Sequence, residues 1–230
     1  MKKQLLFLLF ALLALCASAA PNDVFSVGDL TYSVTLDSYS GRPGIVAVKS
    51  LSAQGKAKTS LKLDIPGVVS YNGYKYKVGV ILYDAFKDQT NISVVQIRYN
   101  ITRIAQSAFE NCTSLTTVYM PSSLINVGYR AFGGCTALKS VYFANATPSS
   151  TSVVPGSFPE NSGMTLYVSK AHPNSRENAR KVTAFDYFST IKKHEYACDF
   201  ILGEHGYFCV TKAPLSDGST RGEMSLVGVY

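Results

Sequence analysis

The sequence predicts an α+β repeat fold, a short solenoid of 23-residue coils with an N-terminal β cap, a C-terminal helical closure and a final β hairpin. Three observations predict it. The pairs Ala85-Phe86, Ala108-Phe109 and Ala131-Phe132 recur every 23 residues, a period at which each unit buries its apolar face only by stacking on its neighbours. Other apolar columns keep the same phase and end in a strand-like alternation. Composition agrees: 15 tyrosines, no tryptophan and only 16% charged residues suit a strand-rich surface better than a helical bundle.

In chain order, residues 1–19 read as a secretory signal peptide. Lys2 and Lys3 precede an apolar run from Leu5 to Leu15, and Ala17-Ser18-Ala19 gives an A-x-A site. A lipoprotein cut before Cys16 is the competing reading and fits less well, because such sites want a small residue where Leu15 stands. No later run is long enough for a membrane-spanning helix, so the expected address is secreted or cell-surface. Losing Lys2 and Lys3 takes the formal charge from +7 to +5. The remaining basic residues are scattered, which argues against a nucleic-acid partner.

Residues 20–77 read as the cap that one apolar end of a solenoid requires. FSVGDLTYSVTL alternates around a Gly28-Asp29 turn that opposes Val27 to Leu30 and Phe25 to Tyr32. GIVAVKSL is a second strand, and Tyr71-Asn72-Gly73-Tyr74 marks another turn. The solenoid proper is expected over 78–170. Its columns are Val78, Ile101 and Leu124; Ile81, Ile104 and Val127; Ile92, Leu115 and Leu138; Val95, Val118 and Val141; and Ile97, Met120 and Phe143. The last three give L-x-x-L-x-L, the spacing of a short strand with one face buried. Gln89, Cys112 and Cys135 share a column, and the two cysteines read as compact buried hydrophobes rather than an inter-coil disulfide. Residues 171–195 form the expected helical closing segment, with Phe185, Phe188 and Ile191 at helical spacing.

Residues 196–230 read as a β hairpin module. DFILGEHGYFCV echoes the opening hairpin, and a Gly203-Glu204 turn sets Phe200 against Tyr207 and Cys198 against Cys209. Export permits a disulfide there, with two unpaired thiols as the alternative. The same stretch reads H-x3-C-x6-H-x3-C through His194, Cys198, His205 and Cys209, but His194 lies too far down the strand for one tetrahedral zinc site.

ITRIAQSAFENCTSLTTVYMP at Ile101 to Pro121 and LINVGYRAFGGCTALKSVYFA at Leu124 to Ala144 match, nearly throughout, the unit of the BspA-like leucine-rich repeat family, which the chain resembles. GSFPENSGMTLYVSK at Gly156 to Lys170 is similar to that family's degenerate closing repeat. The resemblance implies a secreted or surface protein whose role is adhesion to a host or extracellular-matrix protein or to another cell-surface protein.

Catalysis finds little support. His172, His194 and His205 define no shared cleft, the solenoid cysteines read as buried, and no nucleophile elbow, zincin or phosphate-loop motif occurs. No cofactor is implied, and the sequons at Asn91, Asn100, Asn111 and Asn145 read as chance beside a bacterial type of leader. The more informative surface is the strand position between the last two buried columns. It holds Gln96, Tyr119, Tyr142 and Tyr167, which alternation turns away from the core. Arg98, Thr116 and Lys139 stand near it as polar contacts. A tyrosine ladder suits protein recognition and, through aromatic faces, a glycan. It also suits simple cross-strand stabilisation in a structural spacer.

Overall fold

The computed structural model describes residues 22–36, 42–145, 153–160, 163–169, 174–194, 200–203, 206–210 and 224–228. The expected leader, His172, Cys198 and His205 lie outside them.

Three strands open the fold as an antiparallel meander: β1 (Val24–Val27), β2 (Leu30–Leu36) and β3 (Gly44–Leu51). Phe25 pairs with Tyr32 and Val27 with Leu30, with Gly28 at φ 56° in the intervening turn, as its sequence requires. A short helix α1 (Ala53–Ala57), N-capped by Ser52 Oγ accepting from the Gly55 N–H, leads to β4 (Leu61–Ile65). Strands β5 (Val68–Tyr71) and β6 (Tyr74–Ile81) form a hairpin whose two turn residues, Asn72 and Gly73, both have positive φ.

From here the chain winds in coils, each crossing two sheets whose coil strands pair in parallel. On one side run β7 (Ile92–Ile97), β9 (Thr117–Met120), β11 (Ser140–Phe143), β12 (Thr165–Ser169) and β13 (Thr190–His194). On the other run the two-residue strands β8 (Arg103–Ile104) and β10 (Asn126–Val127), continued by a bridge from Val127 to Val153. The first sheet has the order β13-β12-β11-β9-β7-β4, parallel throughout; the second has β1-β2-β3-β6-β8-β10, with β5 also on β6. The leucine-rich columns face inward between the sheets. The pairs Val118↔Val141 and Met120↔Phe143 stand in register 23 residues apart and are buried.

The Ala-Phe pairs build the turn that joins the two sheets. Phe86, Phe109, Phe132 and Phe158 stack with centroids 4.9, 5.1 and 5.4 Å apart, so GSF at 156–158 supplies a fourth member of the column. The stacking is locked by backbone bonds from each Phe N–H to the carbonyl one residue before the next Phe: Phe86 to Ala108, Phe109 to Ala131 and Phe132 to Ser157. Two residues per turn take left-handed backbone, the one before Ala (Asp84, Ser107, Arg130), with Gly156 at the matching place in the fourth turn, and the second after Phe (Asp88, Asn111, Gly134).

The thiols of Cys112 and Cys135 donate to the carbonyls of Phe86 and Phe109, each at 3.1 Å, which explains a small, weakly polar residue in that buried column. Both cysteines are free. A side-chain hydrogen bond with Cys112, and then burial, hold the Cys135 thiol far above the ordinary range, so it stays protonated and unreactive.

Two expected boundaries move. Strand β4, assigned to the cap, is the first strand of the six-stranded solenoid sheet, and the boundary at residue 78 falls inside β6. The β5–β6 hairpin lengthens that coil so that Ile65 pairs with Ile97, 32 residues on, and the 23-residue phase loses it. At the other end, residues 171–195 are not chiefly helical. Helix α2 (Ser175–Ala179) and a 3-10 turn (Thr183–Phe185) occupy the middle, and Ile191 lies on β13, paired with Leu166. The spacing of Phe185, Phe188 and Ile191 imitates a helix, yet the two phenylalanines pack at steep angles against Phe158 and end its stack, while the chain returns to the sheet.

The last strands, β14 (Phe200–Gly203), β15 (Gly206–Val210) and β16 (Met224–Gly228), form an antiparallel meander like β1-β2-β3. Its first two strands pair Phe200 with Cys209, Leu202 with Tyr207 and Gly203 with Gly206. The expected opposition of Phe200 to Tyr207 is therefore displaced, with Gly203 paired to Gly206. The other expected opposition, of Cys198 to Cys209, involves Cys198, which lies outside the described residues.

Candidate functional site

In a parallel sheet, residues in register form columns perpendicular to the strands, and every second residue faces away from the core. One outward column here runs across all six strands: Asp64, Gln96, Tyr119, Tyr142, Tyr167 and Lys192. Sequence reading found its four middle members and missed both ends. The local alternation LKLDI carries the signal for Asp64, and Lys192 follows once Ile191 is placed on a strand.

The three tyrosines are half-buried and their rings stack. Tyr119 and Tyr142 have centroids 4.5 Å apart with 14° between planes; Tyr142 and Tyr167 are 4.4 Å apart with 9°. Both faces of the Tyr142 ring are thus covered by neighbouring rings. A ligand approaching the ladder meets ring edges and phenol oxygens, the electropositive rim and the polar tip of the side chain.

Beside this column runs a second, two residues earlier on each strand: Lys62, Val94, Thr117, Ser140, Thr165 and Thr190. Four hydroxyls in a row thereby flank the tyrosines, on positions that sequence reading left unassigned although the alternation placed them on the same face.

The three expected polar neighbours separate. Lys139 is exposed at the entry to β11. The Thr116 hydroxyl donates to the Ser93 carbonyl at 3.0 Å, tying one coil to the next. Arg98 is only 7% exposed, and its guanidinium donates through Nε and Nη2 to the two carboxylate oxygens of Asp64 at 2.7 and 3.0 Å. That fork fixes the carboxylate at the end of the ladder, so Arg98 acts on the face through Asp64.

A second charged cluster lies in the phenylalanine turns. Glu110 is 7% exposed; its Oε2 takes Lys87 Nζ at 3.1 Å from the preceding coil, and its Oε1 takes Arg130 Nε at 2.6 Å from the following one. Burial works to raise its pKa, but hydrogen bonds from Lys87, Arg130 and Ser107 outweigh it and hold the carboxyl below the usual glutamate range. This cluster staples three coils. Among the described residues, no three His, Cys, Asp or Glu side chains gather as a metal site.

Several solved structures are similar to the chain. A leucine-rich repeat protein from Bacteroides ovatus is 23% identical over 73% of this chain and 40% of its own, with a TM-score of 0.47. Another from Bacteroides capillosus is 23% identical over 74% of this chain and 98% of its own, with a TM-score of 0.46. A leucine rich cell surface protein from Faecalibacterium prausnitzii is 16% identical over 90% of this chain and 62% of its own, also at 0.46. The chain thus spans less than half of the first and under two thirds of the third. No curated protein matches it. The family model described as "BspA type Leucine rich repeat region" matches in six copies over residues 76–195, more than half of the sequence. The columns, the paired sheets and that match agree: the chain belongs to the BspA-type leucine-rich repeat family.

Proposed function

We propose that this is a non-catalytic recognition protein, secreted or displayed at the cell surface, that binds a protein partner through the outward face of its six-stranded parallel sheet. Adhesion to a host or extracellular-matrix protein, or to another cell-surface protein, is the role this reading favours. The observation that carries it is the continuous ladder Gln96-Tyr119-Tyr142-Tyr167 with its rings stacked on one another. Stacked tyrosines are already ordered, so they offer contact area at low entropic cost on binding. Family membership supports the same reading. No helix among the described residues is long and apolar enough to cross a membrane.

A glycan ligand is the second reading, and the hydroxyl column Thr117-Ser140-Thr165-Thr190 favours it. Stacking of a sugar ring, however, needs an open aromatic face, and Tyr142 offers none. A spacer without a ligand is the remaining alternative.

The test is binding of residues 20–230 to arrays of extracellular-matrix proteins, host surface proteins and glycans, with and without Tyr119→Ala plus Tyr142→Ala, and with circular dichroism as a check on folding. Protein binding lost in the folded double variant supports the reading. Binding unchanged in that variant removes the ladder from the function, and no ligand on any array supports the spacer.

A further inference from the structure

The charge on the ladder face narrows the class of partner. Lys62 and Lys192 stand at opposite edges of the sheet, both exposed, and exposed Lys139 stands at the entry to a central strand. The only carboxylate in the two outward columns is Asp64, and the buried Arg98 guanidinium neutralises it through a two-point pair. What remains is a row of phenol and alcohol hydroxyls bounded by ammonium groups. Such a surface attracts anions at long range and offers O–H and N–H donors at contact.

We infer that the partner segment is an extended acidic peptide lying across the strands, with its carboxylates toward Lys62, Lys139 and Lys192 and its backbone carbonyls over the tyrosine hydroxyls. This rests on the ladder being the binding face, as proposed above. A peptide fits better than an anionic polysaccharide because the centre of the ladder, at Tyr142, presents a ring edge and a hydroxyl with both ring faces covered. The geometry also sets a length. Five inter-strand steps of about 4.8 Å separate the columns' two ends, roughly 24 Å, which an extended chain covers in about seven residues.

The test uses residues 20–230 and fluorescence anisotropy with labelled heptaglutamate, heptaglutamine and triglutamate. Heptaglutamate is expected to bind, to weaken as salt rises, and to bind more tightly than the other two. Lys62→Glu with Lys192→Glu is expected to weaken it at least about tenfold. Lys75→Glu with Lys77→Glu, an equal charge change on the exposed side of β6, is expected to have little effect. Equal weakening by the β6 pair, equal binding of heptaglutamine, or binding of a heparin fragment but not heptaglutamate would overturn the inference. If an array partner depends on Tyr119 and Tyr142 but ignores the Lys62 and Lys192 reversals, the acidic partner falls and the ladder stands. If heptaglutamate and the array partners all ignore the tyrosines, the ladder reading itself falls.

Discussion

Two aromatic columns run through this solenoid in the same direction, one inside and one outside. The inner column, Phe86-Phe109-Phe132-Phe158, has rings 4.9 to 5.4 Å apart and is at most 2% exposed. The outer column, Tyr119-Tyr142-Tyr167, has rings 4.4 to 4.5 Å apart and stays half in solvent. Both spacings follow the separation of adjacent strands, so coil stacking makes either ladder wherever an aromatic recurs. They differ in how they end. The inner stack is closed by Phe185 and Phe188 packing at steep angles, whereas the outer one runs out through Gln96 to Asp64 and directly to Lys192, both charged. An apolar closure suits a core and a charged margin suits a surface that meets a partner in water. The same repeat thus produces a buried ladder and an exposed one, separated by which side of the strand the ring occupies, and the exposed one is the ladder proposed above for recognition.

The comparison is broken most severely from the inside. Phe109→Ala removes a ring held between Phe86 and Phe132 and leaves a cavity that two hydrogen-bonded turns prevent from collapsing. The expected loss is about 3–5 kcal/mol, read as a lowered urea midpoint. If Phe109→Ala costs no more than Tyr142→Ala, the two columns are energetically alike and the distinction fails.

Next comes the turn that carries the inner column. Gly134 has φ 71°, and a Cβ there would collide with Asn111 Oδ1, whose own amide donates to Asp88 Oδ1 at 2.9 Å. Gly134→Ala should therefore cost about 2 kcal/mol, combining left-handed strain with displacement of Asn111. Asn111→Gly with Gly134→Ala should recover part of it, because the clashing amide is gone. Thermal denaturation of the parent and both variants checks this; a Gly134→Ala protein as stable as the parent would mean the turn tolerates another conformation.

A smaller effect, specific in its pH dependence, is expected at Glu110. Its pKa is lowered on folding, so its contribution is complete above the glutamate pKa of the unfolded chain, about 4.3, and is lost as pH falls through the lower folded value. Glu110→Gln should lower the denaturation midpoint at pH 7 and converge on the parent in acid. Lys87 and Arg130 remain half-exposed and can rehydrate, which keeps the loss moderate. A difference that persists unchanged to about pH 3, below the unfolded glutamate value, would exclude the carboxylate's charge as its source.

How legible this molecule was depended on whether a feature kept the 23-residue phase. Phe86, Phe109 and Phe132, the Leu columns, Tyr119 and Tyr142 hold to the repeat and can be placed from spacing alone. Tyr167, by contrast, stands 25 residues after Tyr142 and is placed by the local alternation Leu166-Tyr167-Val168, and Phe158 stands 26 after Phe132. Strand β4 could not be placed from spacing, because the β5–β6 hairpin makes its step 32 residues, and Asp64 was missed with it. Strand β13 could not, because its inward position opposite Val168 is Lys193, which breaks the apolar column at the solenoid's end. The left-handed positions, Asp88, Asn111 and Gly134, did keep phase, but Asp, Asn and Gly become one column only when the shared property is backbone conformation rather than hydrophobicity. The bidentate Arg98–Asp64 pair spans 34 residues and depends on the pairing of β4 with β7, so no local pattern announces it.

The gentlest perturbation to the fold is the sharpest for the comparison. Tyr142→Ala removes the ring that touches both outer neighbours, yet the site stays half in water and the coil's backbone hydrogen bonds and inner columns are untouched. Cross-strand pairs of this kind contribute about 0.2–1 kcal/mol each, so the stability loss should be no more than about 1–2 kcal/mol, well below that of Phe109→Ala. Binding should respond in the opposite order: Tyr142→Ala interrupts the ladder at its centre, where contact energy concentrates, while Tyr167→Ala shortens it at one side and should cost less. Tyr142→Phe separates edge from hydroxyl. It keeps the stack and the ring rim, so affinity retained in Tyr142→Phe and lost in Tyr142→Ala assigns recognition to the packed rings, whereas equal loss in both assigns it to the phenol O–H. If the denaturation midpoints of Tyr142→Ala and Tyr142→Phe also match while both lose affinity, stacking contributes nothing to stability at this position, and the outer column exists for the partner rather than for the fold.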